Sequence, residues 1–354
     1  MATLFDPVQL GAMQLSNRVV MAPMTRSRAG AEDVPTALHV EYYRQRANAG
    51  LIVTEGVQPS RNGKGYCRTP GIHSEEQVRA WRAVTDAVHA EGGKIVVQLM
   101  HCGRVASRFN KDADAETVAP SAIQARGQIF ADAGGGMVDH DTPRALETAE
   151  IAGVIDEYRT ATRNALAAGF DGVELHCTSG YLPAQFLSTG TNRRTDQYGG
   201  PVRNRIRFVI ETLQALCAEA GAGRVGFRIC PGNPFNDLSD DNPYETFSAL
   251  LQAATPLQLA YLHLIYVPLP ALDSLALVQE NYRGAMIINE SLTFDKAQEY
   301  IGSGVAAAAS FGRYYVSNPD LLRRFREGAP LAPLDRNTLY TPGAEGYTDY
   351  PALP

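Results

Sequence analysis

Short apolar runs alternate with amphipathic stretches along the chain, and this alternation predicts a repeated strand–helix unit. The runs at 18–22, 51–55, 94–99, 172–176, 225–230, 261–265, 285–289 and 306–311 read as strands. Several are β-branched with polar residues at their ends, as in parallel strands covered on both faces. Helical periodicity marks 37–48, 75–91, 149–168, 204–218, 244–254, 293–303 and 319–327. Ser74 is placed to cap the second of these helices, and Asn318 followed by Pro319 to open the last. The stretch between the sixth and seventh strands carries no clear helical mark. Eight such strands in 354 residues predict the α/β class. The form expected is a closed (β/α)8 TIM barrel, one domain over residues 1–354.

Two segments fall outside the repeat. Residues 1–17 hold short alternating runs around Gly11, the pattern of a hairpin lid closing the bottom of the barrel. Residues 100–147 follow the third strand, are rich in Gly, Asp, Ala and Pro, and are too long for an ordinary connection. In a barrel this insertion caps the mouth where active sites form.

Composition narrows the function. The net charge of −6 comes with no basic cluster, which argues against nucleic-acid and membrane-surface partners. No apolar run is long enough to span a bilayer, and the first residues show no signal-peptide pattern. Five scattered cysteines without a C-x-x-C suit reduced thiols, so a cytoplasmic protein is expected.

The residues with specific chemistry gather at one end of the predicted strands. Thr25 follows the first, Gln98 and His176 lie at the ends of the third and fourth, and Arg228 is near the end of the fifth. Asn289 ends the seventh, and Gly312 with Arg313 follows the eighth. In a barrel these positions converge on one mouth. No set of three metal ligands assembles from them, and His101–Cys102 and His176–Cys177 are neighbours that point to opposite faces. A Schiff-base lysine is also missing from the strand ends, since Lys64, Lys94, Lys111 and Lys296 lie elsewhere. What remains is a site for a planar, multiply hydrogen-bonding ring and a phosphate, with Gly312 and Arg313 suited to the phosphate.

The segments VVMAPMTRSRA (19–29), GLIVTEG (50–56), IVVQLMHCGR (95–104), VELH (173–176), GYLPAQFLSTGTNRRTDQYGG (180–200), GFRICP (226–231), SFGRYYVSNPDL (310–321) and GYTDYP (346–351) resemble the Old Yellow Enzyme family across essentially the whole chain. The resemblance is closest to bacterial members that reduce enones and nitro compounds. It implies FMN at the barrel mouth and NADPH or NADH as reductant. Ala22, Pro23, Met24, Thr25, Gly56, Gln98 and Arg228 match the surroundings of the flavin ring. Asn289, Glu290, Ser291, Gly312 and Arg313 match the phosphate end, with Glu290 expected to turn its carboxylate away. Activated alkenes (enones, maleimides, nitroalkenes) are the implied substrates, with nitro compounds as a further class. Tyr181 matches the proton donor and His176 a donor to the substrate oxygen. Tyr66 and Tyr347 match aromatic pocket positions. The chain departs from the family at Ser179, where a histidine or asparagine is usual, and at Met100, often a tryptophan, where a roomier pocket is expected. Ser179 keeps two alternatives open: a flavin-binding protein of weak reductase activity, and a biosynthetic isomerase or cyclase. A monomer or homodimer acting on small molecules is expected.

Overall fold

A computed structural model describes residues 1–269 and 272–354. Eight parallel strands close into a barrel: β1 (Val19–Met21), β2 (Leu51–Val57), β3 (Ile95–Leu99), β4 (Gly172–His176), β5 (Val225–Ile229), β6 (Tyr261–Ile265), β7 (Met286–Asn289) and β8 (Ala308–Phe311). Each strand pairs with the next, and β8 returns to β1 through Ala309 opposite Val19. The predicted strand positions hold within a few residues. Helices wrap the outside, including Ser274–Asn281 between β6 and β7, a stretch without a clear helical mark in its residue pattern.

The strands alternate, because successive side chains point to opposite faces, with one irregularity in β2 between Val53 and Gly56. Val19 and Met21, Ile95 and Val97, Val173 and Leu175, and Leu262 and Leu264 face the helices in one large core. Val20, Leu51, Val53, Val96, Tyr261, Ile287 and Ala308 point inward and fill the lower half of the barrel. Gly226 is required there, since a Cβ at that position would overlap the Tyr261 ring. The antiparallel hairpin Val8–Leu10 with Met13–Leu15 closes the bottom, its Leu10, Met13 and Leu15 joining the same apolar layer. Its turn needs Gly11, whose φ is +56° and whose Cβ would strike the Gly223 carbonyl.

Ser74 caps its helix as expected: its hydroxyl accepts from the Gln77 amide at 3.2 Å, a contact typically worth about 1 kcal/mol. Asn318 does not open the last helix. That helix is Leu321–Glu327, preceded by Asp320. Asn318 instead ends the short helix Arg313–Ser317, and its side chain bridges the Tyr314 carbonyl and the Ala332 amide. The 100–147 insertion is mostly irregular, with a hairpin of Gln128–Ala131 against Gly136–Asp139 that was not foreseen. Among the described residues no helix is long and apolar enough to cross a membrane.

Candidate active site

The upper half of the barrel interior is polar. Gln98, Glu174, His176, Arg228, His263, Asn289 and Ser310 occupy the inward phase of their strands, one step above the apolar layer, and all are buried. All of them except His176 are linked by hydrogen bonds across the barrel. Gln98 donates to Glu174 at 2.7 Å, Glu174 meets His263 Nδ1 at 2.8 Å, and His263 Nε2 meets the Ser310 hydroxyl at 2.7 Å. Arg228 donates to the Asn289 side-chain oxygen at 2.6 Å, and Asn289 donates to the Ser310 carbonyl at 2.9 Å. Burial pushes the Glu174 pKa up, but His263, Arg228 and Gln98 overcome it and hold the carboxyl below its ordinary value. The negative charge of Glu174 also favours the charged form of Arg228 against its burial.

Above this layer lies an open cavity of about 740 Å³, within the range of cofactor sites. Ala22, Pro23, Met24, Arg228, Asn289, Glu290, Ser291, Gly312 and Arg313 line it, all named in advance from the sequence. Phe235 and Tyr340, which were not, line it too. Arg228 Nε is buried and has no partner among the described residues, so a donor stands ready for a ligand acceptor. An exposed arginine at one end, a buried arginine in the floor and apolar walls between them fit FMN: phosphate, pyrimidine edge and ring in turn. Gln98 sits beneath, tied to Glu174, and is not on the cavity wall.

A second cavity of about 710 Å³ adjoins the first and shares Phe235 and Tyr340 with it. Thr25, Tyr66 and Tyr181 line it, with Phe130 and Met137 of the insertion hairpin and Tyr340 to Pro342 of the C-terminal segment. Phe130 and Met137 are cross-strand partners on the exposed face of that hairpin. The insertion hairpin thus forms part of the wall of this second cavity.

Tyr181 and Tyr66 meet through their hydroxyls at 3.1 Å, and the His176 ring packs edge-on against Tyr181 with centroids 4.8 Å apart. Burial raises the Tyr181 pKa well above its ordinary value, and Tyr66 is pushed up to about 12 for the same reason. Both hydroxyls are therefore neutral at physiological pH. Burial and the charge of Arg228 lower His176 to about 3, so its imidazole is neutral. The neighbouring Cys177 faces the outer core, where burial raises its thiol pKa and leaves it inert.

Several expectations are corrected by the geometry. Tyr347 is not a pocket residue. It is fully buried, stacked 4.0 Å from Tyr42 and flanked by the guanidinium groups of Arg26 and Arg28. The aromatic that reaches the cavity from this segment is Tyr340. Met100 does not open the pocket either. It is buried against Cys102, Val105 and Tyr181, behind the tyrosine pair. The space that a Cβ at Gly56 would enter is filled by the Met100 thioether. Finally, Glu290 does not turn away: its carboxylate accepts from the Ser291 hydroxyl at 2.6 Å and lies 3.8 Å from the Arg313 guanidinium. Ser179, half-buried, has φ +58°, and its carbonyl accepts from the Asn236 side chain at 2.7 Å. It lines neither cavity.

The C-terminal wall is held by buried arginines. Arg28 donates to the carbonyls of Thr338, Leu339, Gly343 and Glu345, and Arg26 to those of Leu339 and Gly346. Glu55, at the mouth end of β2, lies under the same loop and accepts from the Arg26 amide and the Tyr43 hydroxyl.

The model of the NADH:flavin oxidoreductase / NADH oxidase family matches residues 3–332. The chain is 41% identical to a probable flavin mononucleotide-dependent alkene reductase of Leishmania infantum, over 99% of this chain and 97% of that protein. The fold is similar to that of the Old Yellow Enzyme homologue from Zymomonas mobilis, with a TM-score of 0.96 and 40% identity over 99% of this chain and all of that one. It is equally similar to morphinone reductase in complex with tetrahydroNAD, at a TM-score of 0.95 and 43% identity, covering 100% and 98%. The chain belongs to the Old Yellow Enzyme family. It is an FMN-dependent flavin oxidoreductase.

Proposed function

We propose that this enzyme reduces the C=C bond of activated alkenes (enones, maleimides and nitroalkenes) with NADH or NADPH as electron source, and that nitro compounds are a further substrate class. Bound FMN supplies hydride chemistry in the first cavity. Residues in and beside the second cavity do the rest, His176 from behind Tyr181. The observation that carries the reading is the neutral, buried Tyr181 hydroxyl facing that cavity. A hydroxyl of this kind hands its proton to a carbanion forming at the α-carbon. Tyr66 can donate to the Tyr181 oxygen, which leaves the Tyr181 proton free for the substrate and steadies the oxygen after transfer. His176 is a neutral donor for the carbonyl oxygen as negative charge grows there. Phe130, Met137, Phe235 and Tyr340 give the substrate an apolar, aromatic enclosure. We read the protein as cytoplasmic on the strength of its free cysteines, and as a monomer or homodimer acting on small molecules.

An anaerobic two-stage titration tests this. NADH or NADPH should bleach the flavin absorbance, and a maleimide or enone added next should restore it with one alkene reduced per flavin. A flavin that is bleached but stays reduced with every alkene class would refute alkene reduction. It would favour the isomerase or cyclase reading that Ser179 leaves open.

A further inference from the structure

The phosphate end of the flavin cavity contains a carboxylate. Glu290 sits directly after β7 with φ +102°, and Ser291 follows at +48°. Two consecutive side-chain-bearing residues thus occupy backbone conformations that glycine adopts freely and others rarely. The turn carries the Glu290 side chain onto the cavity wall beside Arg313. Arg313 is then engaged twice: its guanidinium donates to the Ser291 hydroxyl at 3.0 Å and lies 3.8 Å from the Glu290 carboxylate, which itself accepts from Ser291. These are the groups that a phosphate on this cradle would need.

We infer that Glu290 competes with the FMN phosphate for Arg313, so that this chain binds FMN less tightly, relative to riboflavin, than its cradle would otherwise allow. This rests on the reading of Gly312 and Arg313 as the phosphate end of the site. A phosphate monoester carries between one and two negative charges at neutral pH. To seat it, Arg313 must leave Glu290, and the displaced carboxylate stays within a few ångströms of the incoming anion. Riboflavin has no phosphate and meets neither cost. The side chains are about half exposed, so solvent screens the repulsion and the effect is moderate.

Fluorescence quenching of FMN and of riboflavin, titrated separately into the deflavinated full chain, gives the two dissociation constants. Glu290→Gln removes the charge and little else. It should tighten FMN roughly threefold to tenfold, while riboflavin changes by less than about twofold. Arg313→Ala should weaken FMN and spare riboflavin, which tests the cradle itself. If Glu290→Gln leaves FMN unchanged or weaker, or tightens both flavins equally, the competition does not exist. If Arg313→Ala alters neither flavin, the phosphate lies elsewhere, and the cradle reading falls together with the inference. Should Glu290→Gln fold poorly, Glu290→Gly, whose backbone suits this turn, carries the same expectation for the two flavins.

Discussion

Tyr66 and Tyr181 offer a test in which the size and the pattern of the effect are both fixed by the structure. Their hydroxyls are 3.1 Å apart, and only one of the two can donate in that contact. If Tyr181 gives its proton to the substrate, Tyr66 is the donor that meets the resulting oxygen. Removing the general acid by Tyr181→Phe should slow the alkene half-reaction by roughly 10² to 10⁴. Tyr66→Phe removes a hydrogen bond to an oxygen that becomes charged. Such a bond is worth about 1.5–3 kcal/mol, and a 3.1 Å separation points to the lower end, so the loss should be about tenfold. Because Tyr66 acts through Tyr181, the double variant should be no slower than Tyr181→Phe alone. Stopped-flow absorbance follows both half-reactions on the same samples. Flavin reduction by the nicotinamide should change little in all three variants. Losses that multiply in the double variant, or a matching fall in flavin reduction, would show that the tyrosines shape the cavity independently and that Tyr181 is not the proton donor.

Ser179→Asn should fold with a stability change under about 1 kcal/mol, because φ +58° suits asparagine better than almost any other side-chain-bearing residue. The longer side chain should bring a second donor toward the substrate oxygen, tightening phenol binding and raising the rate with simple enones; phenol binding and enone turnover that both stay unchanged would show that position 179 lies out of reach of the substrate. Arg28→Met removes buried donors from four carbonyls of residues 338–345, and should destabilise by about 3–5 kcal/mol and expose that segment to protease. Arg28→Lys should not restore the wall, lacking the planar fork. Burial raises Glu55 to about 7, above its ordinary 4.5. The folded state therefore holds a proton that the unfolded state loses first. This contribution is fully present below pH 4.5 and is lost as the pH climbs through 7, a swing on the order of 3 kcal/mol. In Glu55→Gln the fall in thermal midpoint between about pH 5 and 8 should be flattened.

The barrel was legible because its strands are covered on both faces and its helices on one, and those two patterns differ in period. The cradle was legible because Arg228, Asn289, Gly312 and Arg313 all lie at strand ends, a position with one meaning in a barrel. Glu174 and His263 were hidden for the opposite reason. They lie inside runs that otherwise read as apolar, and only the closed barrel brings their inward phases together. Phe235 and Tyr340 belong to irregular segments whose course no periodicity predicts, so their approach to the cavities depends on tertiary structure alone. Tyr347 was misplaced because an aromatic near Arg26 and Arg28 serves equally well as packing for their guanidinium groups.

The wall formed by Asn337, Tyr340, Thr341 and Pro342 is made of residues synthesised after everything it covers. A ribosome releases the chain in order, at about 5–20 residues per second. The barrel cannot close until β8 is available to pair with β1, and the polar interior and flavin cradle can form from that moment. The substrate enclosure comes later, when Thr338 to Gly346 reach Arg26 and Arg28. A chain cut ahead of Asn337 would therefore keep the strand-end part of the cradle, without Tyr340, under an open mouth. Such a chain could take up flavin while offering it to any small oxidant in solution, dioxygen included. Quality control that senses only a closed barrel would not notice the difference.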